Sequence, residues 1–314
     1  MSEEAERAID ANSVEKEIAK DDETTKQIES ACRVVINLRK RPLIVLYYPV
    51  PYSDMSEEDV RYCYAALRSG GIKTENPLKE CDVLIHTYGG SPVAAYKLAQ
   101  VIHDFCINVS CLIPEYAYSA GTLLCFAGNE IRFGHFAGLS PIDITQENVE
   151  LASIDNYIEF AGACQKAVQK VIDKLNQSNN ITGVPQIASV GSDLLCHLVE
   201  QVGALDIGRY YRARTLAGHY AEELLDRYMF AGKPNAKGRR NKVISNLLFQ
   251  APSHQFHLDY HMGSNLGLVI SEMSTDESDA TKSVISTLNQ FAYSGVICQN
   301  ITDDKKMPFI AFYA

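Results

Sequence analysis

The chain has 314 residues, of which 46% are hydrophobic and 22% charged, and this composition is typical of a globular protein with a sizeable core. Its formal net charge is −10 and it has no basic stripe, which argues against nucleic acid as the main partner. No run approaches the roughly 20 consecutive apolar residues that span a bilayer, and the nine cysteines lack metal-ligand spacing. We therefore expect a cytoplasmic protein with reduced cysteines, no integral membrane segment and no metal site.

The first 30 residues are more acidic than the rest of the chain. They contain ten acidic and four basic side chains, a balance of −6, and their apolar residues are sparse. We predict an acidic N-terminal arm over residues 1–30, either as a frayed helix or as a docking segment.

Strands and helices are predicted to alternate after this arm. Continuous apolar runs predict four strands, at Arg41–Tyr48, Cys81–Thr87, Val109–Pro114 and Glu130–Phe133. Helices are predicted to start at Ser56, Ser91 and Ser119, each after a strand. Such alternation is typical of a largely parallel sheet covered by helices, with ligand sites at the carboxyl ends of the strands.

The second half of the sequence is predicted to be mostly helical, from about residue 153 to residue 249. A compact segment at His257–Leu268 is followed by a polar stretch from Ser274 to Lys282. A further helix is expected after that stretch, and Pro308–Phe312 indicates a closing strand.

Two turns, Tyr88-Gly89-Gly90-Ser91 and Tyr118-Ser119-Ala120-Gly121, contain the residue types of a serine hydrolase. A Gly-Gly turn lets the backbone pass close to a bound group, and a serine at a helix start lies beside unpaired N–H groups. Fixed N–H donors of this kind stabilise a developing oxyanion. The alternative interpretation of Ser119 is a serine that merely caps its helix.

Four blocks in this order resemble the serine dehydrogenase proteinase family: Arg41–Val45, His86–Gly90, Tyr118–Thr122 and Gly138–Asp143. That family belongs to the Clp protease/crotonase superfamily and is related to signal peptide peptidase A and the NfeD-type Ser-Lys proteases. The resemblance covers residues 31–270, which leaves residues 271–314 as a C-terminal extension. It implies an α/β fold of stacked ββα units with a helical C-terminal part, a homo-oligomer, and hydrolysis of peptide bonds.

The resemblance also implies roles for individual residues. Ser119 would be the nucleophile, and the amides of Gly90 and Ala120 would form the oxyanion hole, with Gly89 shaping its turn. Lys166 is the best match to the general base, although its position off the apolar stripe of its helix equally fits a solvated lysine. His135 is the rival base, in a Ser-His pair.

The sequence departs from the family pattern at two places. Tyr88 stands where relatives usually have proline, and Leu258 with His261 interrupts a His-Asp-Tyr-Pro stretch. Neither departure affects Ser119, but both bear on substrate preference.

We therefore interpret the chain as a serine endopeptidase without a cofactor, acting on peptide or protein substrates. Two alternatives stay open: a catalytically silent family member that acts as an oligomeric scaffold, and crotonase-like acyl-CoA chemistry, which uses a similar oxyanion site. The sequence identifies neither an unfoldase nor a membrane partner.

Overall fold

The computed structural model describes residues 22–49, 54–142, 162–163, 165–174, 177, 189, 204–251, 256–291, 294–299 and 309–313. The chain divides into two compact units, Met1–Asp143 with Ala217–Ala314, and Ile144–Leu216. The first unit contains the sheet and all of the strands described below.

Helices and strands alternate in the first part of the chain, as the sequence predicts. The elements are α1 (Asp22–Arg39), β1 (Leu43–Tyr48), α2 (Glu57–Ser69), β2 (Leu78–Thr87), α3 (Pro92–Phe105), β3 (Cys106–Ile113), β4 (Tyr116–Ala117), α4 (Ala120–Cys125), β5 (Glu130–Phe133) and β6 (Gly138–Leu139).

The second part contains most of the helical residues. Its elements are α5 (Ala204–Leu224), a π-helical turn (Leu225–Met229), α6 (Ala236–Ile244), a second π-helical turn (Ser245–Gln250), α7 (Tyr260–Leu266), β7 (Ile270–Glu272), α8 (Thr275–Gln290), β8 (Ser294–Gln299) and β9 (Phe309–Tyr313). Residues 165–174 are also helical.

The strands form one sheet in the order β7-β5-β3-β2-β1-β8-β9, and the short strands β4 and β6 continue it beside β2. Strands β1, β2, β3, β5 and β7 are parallel to one another, whereas β8 pairs antiparallel with β1 and with β9. The predicted α/β class with a largely parallel sheet is therefore confirmed.

A hydrophobic core lies between this sheet and two helices. Ile28 and Cys32 of α1 are buried with Val284 and Leu288 of α8, against side chains of β1 such as Val45. Burial of this apolar surface attaches the two helices, which are remote in sequence, to the same part of the sheet.

Two chain segments outside residues 31–270 contribute to these layers. Helix α1 begins at Asp22, before residue 31, and the antiparallel strands β8 and β9 follow residue 270. Residues 1–21 lie outside the described part of the chain. The functional separation of the arm, the central domain and the extension stays a prediction.

The polar stretch Ser274–Lys282 was expected to precede a helix, but it is itself the start of that helix. Ser274 accepts a hydrogen bond from the amide of Glu277, and the Glu277 carboxylate accepts one from the amide of Ser274. This capping box begins α8 within the polar residues, while Ala280 and Thr281 are already buried.

The helices of the described residues include none that is both long and apolar enough to cross a membrane.

Candidate active site

Three strand ends in register bring the two predicted turns together. Thr87, the last residue of β2, pairs with Ala117 of β4, and Ala117 pairs in turn with Leu139 of β6. The residues that follow these strand ends therefore lie side by side. They are Tyr88-Gly89, Tyr118-Ser119 and Ser140.

Ser119 has a backbone conformation that is rare for a residue with a side chain. Its φ is 50° and its ψ is −115°, and α4 begins at the next residue. Ser119 occupies the N-cap position of that helix, but its side chain makes no capping hydrogen bond to it, which counts against a capping role for the hydroxyl. A strained serine on a sharp strand-to-helix turn, with its hydroxyl available, is a recurring feature of hydrolase nucleophiles.

The strained turn is held by a chain of buried hydrogen bonds. The backbone N–H of Ser119 donates to the Oγ of Ser140 at 2.7 Å. The amide of Ser140 donates to the Oγ1 of Thr122, which donates to the carbonyl of Ala117 at 2.8 Å. These contacts connect β6, α4 and β4, and they fix the backbone on both sides of Ser119.

Gly89 lies directly against the Ser119 side chain. A Cβ on Gly89 would lie 2.9 Å from the Cβ of Ser119 and 3.3 Å from its Oγ, and the φ of Gly89 is +138°. Only glycine fits both the space and the backbone conformation at this position. The amide of Gly89 donates to the Oγ1 of Thr87, so it shapes the turn and is not free to bind an oxyanion.

Gly90 is held by the segment that precedes α2. Its φ is +131°, and a Cβ there would lie 2.4 Å from backbone atoms of Met55. Met55 donates to the carbonyl of Gly89 and accepts from the amide of Ser91, so it clamps both sides of Gly90. Within the part of the chain that the structure describes, the amides of Gly90 and Ala120 have no hydrogen-bond acceptor.

The two candidate bases occupy different settings. Lys166 is an exposed residue of the helical stretch 165–174, which belongs to the second unit. His135 lies on the exposed turn between β5 and β6, where its ring packs against Phe136. Across the residues described in the first unit, no hydrogen bond joins His135 to Ser119.

His86 is a buried neutral side chain next to the site. Burial lowers the pKa of His86 to about 4, and its ring packs against Tyr47 and Tyr116. Its Nδ1 lies 3.5 Å from a carboxylate oxygen of Glu115 without a hydrogen bond. A neutral histidine in this position forms no salt bridge, and its buried ring supports the site through packing.

Two residues near the turn were not predicted as site residues. Ser140 lies within the Gly138–Asp143 block, and its place in that block was the available signal. His257 stacks its ring on Gly138, because Leu258 pairs with Leu139 across an isolated bridge. Its Nδ1 lies 3.1 Å from the hydroxyl of Tyr118. The pairing of such remote segments is not visible in the sequence.

Over the described ranges, no group of three or more His, Cys, Asp or Glu side chains is placed to hold a metal ion. Asp143, the last residue of the Gly138–Asp143 block, lies outside those ranges.

The sequence is similar to a known family and to two archaeal proteins. A family described as ClpP-like SDH-type serine proteinase matches residues 13–208. The uncharacterized protein MJ0137 of Methanocaldococcus jannaschii is 27% identical over 139 residues, which are 44% of this chain and 47% of that protein. The uncharacterized protein MJ1495 of the same organism is 34% identical over 105 residues, 33% of this chain and 34% of that protein. The match thus spans less than half of either relative.

Proposed function

This chain belongs to the family of ClpP-like SDH-type serine proteinases, and from that premise we propose that it hydrolyses peptide bonds through an acyl-enzyme on Ser119. The suspected family and its Clp-like α/β fold are thereby confirmed. The observation that supports Ser119 most directly is its strained backbone, together with a hydroxyl that makes no capping bond to the helix it precedes.

In the proposed reaction, the Oγ of Ser119 attacks the scissile carbonyl carbon and gives its proton to the base. The amides of Gly90 and Ala120 donate hydrogen bonds to the oxygen that becomes negatively charged. The C–N bond then breaks, the base returns the proton to the leaving amine, and the acyl group stays on Ser119. Water hydrolyses this ester and regenerates the serine.

Lys166 is the base in this proposal, and the Ser-Lys type follows the family resemblance. The side chain of Lys166 is exposed on its helix. Lysine acts as a base when a neighbouring surface desolvates it, and a second subunit of a homo-oligomer can provide such a surface. We therefore include a homo-oligomer and protein or peptide substrates in the proposed function.

A cytoplasmic location completes the proposal. The six cysteines that the structure describes as free are all buried thiols, namely Cys32, Cys63, Cys81, Cys106, Cys111 and Cys125. Unpaired thiols are typical of proteins in reducing compartments.

Labelling by a fluorophosphonate probe, together with cleavage of an unfolded protein substrate, tests this function. Wild-type protein should react at one serine and cleave the substrate, and Ser119→Ala should do neither. Ser91→Ala is the matched control, because Ser91 also precedes a helix but its Oγ caps that helix by accepting from the amide of Ala94. Unchanged cleavage by Ser119→Ala would refute the proposal, and a folded wild type that is inert in both assays would favour the scaffold alternative.

A further inference from the structure

Three tyrosine rings form a compact cluster, here called the tyrosine cluster: Tyr88, Tyr116 and Tyr118. The ring centre of Tyr88 lies 4.4 Å from that of Tyr116 and 5.6 Å from that of Tyr118, and the ring centres of Tyr116 and Tyr118 are 5.3 Å apart. Tyr88 is nevertheless 47% exposed. The cluster therefore presents an aromatic surface to solvent at the carboxyl end of the sheet.

The cluster is directly attached to both turns of the candidate site. Tyr88 immediately precedes Gly89, and Tyr118 immediately precedes Ser119. Because Gly89 lies against the Ser119 side chain, the two tyrosines are one residue from the contact at which the reaction is proposed to occur. A peptide bound at Ser119 would therefore pass close to the backbone that carries these rings.

The rings of the cluster are held in place by the side chains that they pack against. Tyr116 packs against the buried ring of His86, at 4.1 Å between ring centres, and His86 packs against Tyr47. On its other side, the hydroxyl of Tyr118 contacts the Nδ1 of His257. Fixed rings of this kind lose little conformational freedom when a ligand covers them.

We propose that the tyrosine cluster binds an aromatic side chain of the substrate next to the scissile bond. The proposal rests on the proposed function and adds a substrate preference to it. Aromatic rings pack edge-to-face or offset at 4.5–7 Å, and the exposed part of Tyr88 provides such a partner.

The chemistry around the cluster favours an uncharged ring over an acidic side chain. Burial of the neighbouring His86 keeps it neutral, since it lowers the pKa to about 4. The half-exposed Glu115 carboxylate lies 3.5 Å from the Nδ1 of that histidine, and Glu115 directly precedes Tyr116 of the cluster. A negative substrate side chain at this surface would be repelled by Glu115 and would gain no counter-ion there.

Quenched fluorescent peptides that differ at one position test the preference. The peptides carry Phe, Leu, Ala or Glu at one of the two positions that flank the scissile bond. Their kcat/KM values are compared, and the cleaved bond is mapped by mass spectrometry. At one of the positions we expect the wild type to prefer Phe over Ala by about tenfold and to disfavour Glu. Tyr88→Ala should reduce the Phe/Ala ratio to about one, and Tyr88→Phe should keep it.

Tyr64→Ala is the matched control, because Tyr64 is 42% exposed and lies on α2, outside the cluster. Its Phe/Ala ratio should equal that of the wild type. Since each ratio is taken within one protein, a general loss of activity does not imitate the result. A Tyr88→Ala protein that keeps the ratio, or a wild type without a preference, would overturn the proposal.

A binding measurement separates this proposal from the proposed function. Ser119→Ala protein is titrated with fluorescent Phe and Ala peptides, and its affinity is read by anisotropy without any cleavage. The proposed role of the cluster is supported if the Phe peptide binds more tightly than the Ala peptide and the difference disappears in the double variant with Tyr88→Ala. This holds even if the wild type hydrolyses nothing. Equal binding of the two peptides counts against the cluster, even if Ser119 is labelled in the wild type.

Discussion

The Oγ of Ser140 lies 2.7 Å from the backbone nitrogen of Ser119 and accepts its hydrogen bond. Ser140 is only 2% exposed and is itself held through its amide by Thr122. The proposed nucleophile thus has a rare backbone conformation that a buried serine on another strand end stabilises. Ser140 is in this view a positioning residue and does not touch the substrate.

Replacing Ser140 by alanine should slow the reaction of Ser119 with a fluorophosphonate by about tenfold, because the Ser119 N–H loses its acceptor and the turn relaxes. We also expect a loss of about 1 kcal/mol in the free energy of unfolding. Labelling rates and urea denaturation measure the two effects.

Ser110→Ala is the control for Ser140→Ala. Ser110 is 1% exposed and bonds to Glu130 and Arg39, within the sheet and apart from the two turns. This variant should lose stability but label at the wild-type rate. If Ser140→Ala also labels at the wild-type rate, Ser140 does not position the nucleophile.

Replacing Gly89 by alanine should lower the labelling rate by about 100-fold or more, because the new Cβ meets the Cβ of Ser119 and disturbs the oxyanion turn. Gly71→Ala provides a control for backbone strain alone. Gly71 has a φ of +75°, and a Cβ there meets nothing within 4 Å. It should cost about 1 kcal/mol of stability and leave labelling intact. Equal labelling of the two variants would contradict the proposed role of Gly89.

The sheet could be predicted from local signals along the chain. Continuous apolar runs identified β1, β2, β3 and β5, and their alternation with helices indicated parallel pairing. Strand β8 was missed because its position next to β1 depends on contact with a segment some 250 residues away. The capping box that starts α8 lies in a polar run whose buried side becomes apparent only when α8 packs against α1.

The candidate site was predictable in its residue types and not in its supporting contacts. Gly89, Gly90 and Ser119 stand out because each turn combines glycine or serine with a strand end. The roles of Ser140 and His257 depend on register between β4, β6 and residue 258, which no periodic pattern specifies. The rare φ of Ser119 likewise goes with tertiary contacts, namely the hydrogen bond from its amide to Ser140 and the one from Ser140 to Thr122.

Lys166→Gln should reduce peptide hydrolysis at neutral pH by about 100-fold or more if Lys166 is the general base. Lys170→Gln is a closely matched control, because Lys170 is another exposed lysine of the same helical stretch. It should retain full activity, as should His135→Gln. Full activity of Lys166→Gln combined with a loss in His135→Gln would instead identify the rival Ser-His pair. Both outcomes are read from kcat/KM on one peptide, with circular dichroism as the check on folding.

Glu277 should make folding stability depend on acidity. Although burial alone would raise the pKa of Glu277, hydrogen bonds from the Ser274 amide, Arg39 and Arg132 lower it to about 2. The native state thus favours the ionised carboxylate, whereas the unfolded chain has the ordinary value near 4.5. The resulting stabilisation is fully present above pH 4.5 and is lost as the pH falls towards 2.

The comparison of wild type with Glu277→Gln by urea denaturation measures this dependence. The wild type should be more stable by the largest margin at pH 6–7, and the margin should shrink steadily between about pH 4.5 and pH 2 as Glu277 becomes protonated. Glu223→Gln is the control, because it removes an exposed carboxylate that pairs with Arg227 one helical turn away. It should change the free energy of unfolding by less than about 1 kcal/mol. If the stability difference between wild type and Glu277→Gln does not depend on pH, the Glu277 carboxylate has the same proton affinity in the folded and unfolded chains. The contacts with Arg39 and Arg132 would then contribute through packing alone.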